Sequence, residues 1–186
     1  MTRIALLSTS DTDLLSARAS EADYVYANPV RLDDEARAAL AAEADLVVLR
    51  VLGSPESARE MAGVVRAQGR PLIVLGGERT PNAAMMELST VAIGVCAEAH
   101  AYLAEGGPRN LRQLHAFLSD TVLLTGEGFD APEVLPEWGV TRAPERSDLP
   151  RVGVLYYRAH EVSGNNSFAH ALADAVDATG RAVSVG

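Results

Sequence analysis

The sequence has no lysine. All sixteen of its basic residues are arginine, set against twenty-five acidic residues in a chain of 186. A phosphate-binding loop of the G-x-x-x-x-G-K-[ST] kind is therefore excluded from this stretch, because its ammonium is missing. Schiff-base chemistry carried by this chain is excluded for the same reason. The net charge of −9, with a sequence pI near 4.9, leaves no basic footprint for broad nucleic-acid binding. Cys96 is the single cysteine, which rules out an internal disulfide and a cysteine-rich zinc site. Long apolar runs are missing too. The start, Met1-Thr2-Arg3-Ile4, has Asp11 and Asp13 close behind it, so it is neither a signal peptide nor a membrane span. These features read as a cytoplasmic protein. A hydrophobic content of 48% with 22% charged residues argues for an ordinary globular chain over a disordered or fibrous one.

What is present is alternation. Short, continuously apolar runs occur at Ile4–Leu7, Leu46–Leu49, Leu72–Leu75 and Val152–Tyr157, with a weaker one at Tyr24–Tyr26. Such runs suit strands covered on both faces, as in a parallel sheet. Helical stripes lie between them: Ala58, Met61 and Val65; Leu111, Leu114, Leu118 and Val122; Phe168, Leu172 and Val176. Ser54-Pro55-Glu56 supplies a helix start, and Ser10 with Asp13 resembles a capping box. The pattern predicts an α/β fold with a flavodoxin-like or Rossmann-like parallel sheet over residues 1–125. Residues 126–150 hold Pro132, Pro136, Pro144 and Pro150 and read as a linker. Residues 151–186 read as strand, helix near Asn166–Ala178, and strand Ala182–Val185. A lone β-α-β unit cannot cover both faces of its sheet. The expectation is a truncated second α/β domain, and hence an N-terminal fragment of a longer protein.

Ligands of open α/β sheets sit beyond the carboxyl ends of the strands, and four segments fall there. Ser8-Thr9-Ser10-Asp11-Thr12-Asp13 reads as helix capping, since two carboxylates would repel a flavin phosphate. Arg50 interrupts an apolar run, and its guanidinium calls for a carboxylate, either internal or on an acidic ligand. Gly76-Gly77-Glu78-Arg79 permits a tight turn or the close approach of a ligand. Tyr156-Tyr157-Arg158-Ala159-His160, followed by Ser163-Gly164-Asn165-Asn166, is the most site-like segment. Its Arg, His and amide groups suit carboxylate binding, proton movement or metal ligation. Asn165 or Asn166 also suits a helix cap there. His100, His115 and His170 lie in helical patterns without ligand spacing and read as surface or boundary residues. No nucleophile elbow, dinucleotide fingerprint or catalytic carboxylate pair is found.

Several segments together resemble the start of cobaltochelatase large subunits of the CobN type. They are residues 6–18 (LLSTSDTDLLSAR), Met86-Glu87-Leu88-Ser89-Thr90, Glu98 through Pro108, and residues 117–126 (FLSDTVLLTG). Gly153 through His160, with Gly164-Asn165, also resembles the large subunit of magnesium chelatase. The resemblance implies ATP-dependent insertion of cobalt(II), as substrate metal, into the corrin hydrogenobyrinate a,c-diamide in cobalamin biosynthesis. It implies that AAA+ ATPase and accessory subunits hydrolyse the ATP, while the large subunit holds the macrocycle. Arg158, Asn165 and Arg50 are the candidate substrate-binding residues. His160 is the candidate catalytic or metal residue. The alternatives are a non-catalytic module that docks a partner or frames the macrocycle, and a magnesium chelatase.

Overall fold

A computed structural model describes residues 2–144 and 148–186. The chain divides into two compact units, Met1–Glu133 and Val134–Gly186.

The first unit alternates β1 (Ile4–Ser8), α1 (Asp11–Ser20), β2 (Tyr24–Ala27), α2 (Asp34–Glu43), β3 (Leu46–Val51), α3 (Pro55–Arg66) and β4 (Leu72–Gly76). Three helices follow, α4 (Ala83–Met86), α5 (Ile93–Glu105) and α6 (Gly107–Leu123). The strands form a parallel sheet in the order β2-β1-β3-β4. This is the flavodoxin-like order expected from the alternation.

The continuous apolar runs are explained by two cores. Ile4, Leu6, Leu46, Val48, Ile73 and Leu75 face α1, α5 and α6 on one side of the sheet. Ala5, Leu7, Val47, Leu49, Leu72 and Val74 face α2 and α3 on the other. Successive side chains of a strand point to opposite faces, so two buried faces need an unbroken apolar run. Each fully buried Leu, Ile or Val contributes about 1.5–3 kcal/mol.

Residues 126–133 stay with this unit. The Tyr102 hydroxyl donates to the Asp130 carbonyl at 2.6 Å, and Phe129 meets Phe117 edge-on at 5.0 Å. The buried Asn110 donates to the Gly106 and Glu133 carbonyls and accepts from the Glu133 amide. The stretch read as a linker is therefore divided between the two units.

In the second unit, β5 (Arg151–Val154) and β6 (Ala182–Val185) pair in parallel. Between them lie α7 (Arg158–Val162) and α8 (Ser167–Asp177). Two sequence expectations need correction. The strand ends at Val154 rather than Tyr157, and Leu155 and Tyr157 are exposed. Helix α8 buries Ala169 and Ala173, not Phe168 and Leu172, which are about half exposed. Small residues let the helix sit close on a narrow two-stranded sheet, and that rotates the larger side chains outward. Among the described residues, no helix is long and apolar enough to cross a membrane.

Candidate functional site

The carboxyl end of the first sheet is filled by its own side chains. Arg50, at the end of β3, ion-pairs with Asp13 of α1 at 2.7 Å, and both are buried. The same guanidinium donates to the carbonyls of Leu103, Gly77 and, at 3.4 Å, Gly76. The Ser8 hydroxyl donates to the second Asp13 oxygen at 2.5 Å. Of the two partners open to Arg50, the structure supplies the internal one. The capping box between Ser10 and Asp13 does not form, because Asp13 turns inward and the Ser10 amide donates to Ser8 instead. Gly77 does permit a close approach, but the occupant is Leu52. A Cβ on Gly77 would overlap the Leu52 side chain and lie 3.1 Å from its Cα. At the amino end of β4, an open cleft of about 340 Å³ is lined by Arg66, Arg70, Pro71, Thr90, Val91 and Val122, among others.

The loop after β5 is different: it is built by helix caps and left half open. Helix α7 closes with Gly164 at φ +71°, a left-handed position that favours glycine. The Gly164 amide donates to Glu161 and the Asn165 amide to His160, which is the paired closure of a Schellman turn. Asn165 thus serves the loop through its backbone, and its side chain is exposed. Asn166 precedes α8 without a side-chain capping bond. Its amide instead donates to Glu161 Oε2 at 2.7 Å.

Tyr156 donates to the same oxygen at 2.5 Å. The hydrogen bonds from Tyr156 and Asn166 hold the Glu161 carboxyl below the usual carboxylate range. Partial burial, and then Glu161 itself, push the Tyr156 phenol up. His160 packs edge-on against Phe168 at 5.0 Å, and Tyr156 meets the same ring at 6.2 Å.

Arg158 sends its Nε to the Pro136 carbonyl at 2.8 Å and an Nη to Leu135. Residues two apart on a helix do not share a face. The structure accordingly takes Arg158 toward residues 135–136 and His160 toward Phe168. Among the described residues, no three His, Cys, Asp or Glu side chains converge to hold a metal ion. The sequence reading missed Glu161, whose two partners lie five residues away on either side, a spacing that no helix or strand period flags.

The remaining histidines divide. His100 is buried rather than at the surface, and its Nε2 lies 2.9 Å from the Glu78 carbonyl. His115 sits at a boundary, with Nε2 3.1 Å from the Thr2 carbonyl and its ring edge-on to Tyr24. Burial depresses both imidazoles below their ordinary value.

A doubly wound unit followed by a β-α-β unit with an Arg-x-His loop narrows the class of protein, and comparison with known proteins gives it. Residues 100–185 match the family model for CobN and magnesium chelatase. Among solved structures it is similar to the catalytic subunit of cobaltochelatase from Mycobacterium tuberculosis, with 45% identity and a TM-score of 0.84. That match covers 99% of this chain and 16% of the other, so the chain spans about one-sixth of that relative's length. No match was found among curated proteins.

Proposed function

We propose that this chain is the N-terminal part of the macrocycle-binding large subunit of an ATP-dependent cobaltochelatase. Its substrates are cobalt(II) and hydrogenobyrinate a,c-diamide. The observation that carries this reading is 45% identity, along nearly the whole chain, to a cobaltochelatase catalytic subunit. ATP is hydrolysed by AAA+ partner subunits, and the lysine-free sequence fits that division of labour.

Insertion requires cobalt(II) to shed water and the ring to lose pyrrolic protons to a base. In this reading His160 accepts such a proton, histidine being the side chain used most often as a general base. Arg158 contacts a ring carboxylate, for which the planar fork of guanidinium is suited. Asn165 is exposed in the same loop. The test is His160→Ala and Arg158→Ala in the full-length subunit, with corrin binding followed by absorbance and cobalt insertion by product formation. His160→Ala is expected to slow insertion at least about tenfold with binding retained, and Arg158→Ala to weaken binding. Wild-type values in both variants would overturn the roles of these residues.

A second reading applies to Met1–Glu133. The crevice where a doubly wound sheet takes its ligand is filled by Arg50, Asp13 and Leu52. That favours a partner-docking or framing role for this unit. Binding of the 186-residue chain to AAA+ subunits, without spectroscopic change on corrin titration, supports it. Corrin binding that Arg50→Ala abolishes in a folded variant contradicts it.

A further inference from the structure

The loop that carries Arg158 and His160 is held at both ends by one carboxylate. Glu161 Oε2 accepts from Tyr156, two residues past the end of β5, and from Asn166, immediately before α8. The two donors lie ten positions apart in sequence, and His160 lies between them. Phe168, one residue into α8, receives both the His160 and Tyr156 rings edge-on. The Schellman turn at Gly164 sets the backbone of α7 but reaches neither β5 nor α8 through a side chain. Alongside the Tyr156–Phe168 ring contact, a hydrogen-bonded link between the strand end and the start of α8 runs through Glu161.

We propose that Glu161 is a positioning residue for His160, clasping Tyr156 and Asn166 so that the imidazole is held against Phe168 in one orientation. Without the carboxylate, Tyr156 and Asn166 lose their common acceptor, and α7 is left to its short backbone ladder. A five-residue helix is marginal by itself, so the His160 ring would sample several positions. Small displacements of a reacting group are costly in rate. The inference rests on the reading of His160 given above and adds the residue that makes it effective.

The experiment is a double-mutant cycle in the full-length subunit with its AAA+ partners. Glu161→Ala, His160→Ala and the double variant are compared for kcat and KM of cobalt insertion. Glu161→Ala is expected to lower kcat roughly tenfold with KM little changed, and to slow the His160→Ala enzyme no further. Glu161→Gln keeps an oxygen acceptor for both donors and is expected to retain most activity. If Glu161→Ala does not fold, Tyr156→Phe removes one arm of the clasp and is expected to lower kcat only when His160 is present. A wild-type kcat in Glu161→Ala overturns the proposal, as does a loss of equal size with and without His160. A wild-type rate in His160→Ala overturns the underlying reading of His160 instead, so the two failures are told apart.

Discussion

Arg50 and Asp13 illustrate how a charge can be present for the scaffold. Both are buried, and the ion pair is completed by three backbone carbonyls and the Ser8 hydroxyl. Removing one partner leaves the other charge without its counterion in a dry site, at a cost of about 3–5 kcal/mol. Arg50→Ala and Asp13→Ala should each lower urea-unfolding stability by that order. Arg50→Met with Asp13→Leu should cost clearly less than the sum of the two single losses. Additive losses would contradict the pairing.

The histidines give a pH signature. His100 and His115 are depressed in the fold, so the unfolded chain binds protons more readily below its ordinary histidine value of 6.5. Their contribution to stability is present above that value and is lost as pH falls toward the folded values. The melting temperature should therefore drop between about pH 7.5 and about pH 5.5, and the drop should shrink in His100→Gln with His115→Gln. An unchanged slope in that variant would rule the histidines out as its source. Asp13 reads from sequence as a helix cap because its partner Arg50 lies 37 positions away, and Glu161 carries no signal because its partners lie at a spacing that no helix or strand period flags.

At the level of elements, strands were more legible than helix faces. The runs at Ile4, Leu46 and Leu72 could be read because two-sided burial leaves a continuous apolar signature. The same rule overran β5, because Leu155, Tyr156 and Tyr157 are apolar whether buried or exposed. In α8 the spacing of Phe168, Leu172 and Val176 predicts the larger side chains on the buried face. The alanines won because a narrow sheet favours close approach. Helix α6 ends with Leu124 at φ +58° and 83% exposed, a left-handed position without packing to compensate. Leu124→Gly should raise stability by roughly 1 kcal/mol, measured by urea unfolding. A loss of stability would show that the side chain makes contacts that matter in solution.

For the whole molecule, the fold class followed from the order of strands and helices, and the family resemblance from motifs spread along the chain. The candidate site was legible only as a segment. Residues 156–166 stood out by their mix of Arg, His and amides. The separation of Arg158 from His160 depended on a short helix that two adjacent tyrosines obscured. The most direct measurement is metal insertion by the full-length subunit with the proposed AAA+ partners, cobalt(II) or magnesium(II) being offered with hydrogenobyrinate a,c-diamide or a porphyrin. The expected result is cobalt insertion into the corrin that stops when ATP is withheld. Magnesium insertion into the porphyrin, with no cobalt product from the corrin, would contradict it.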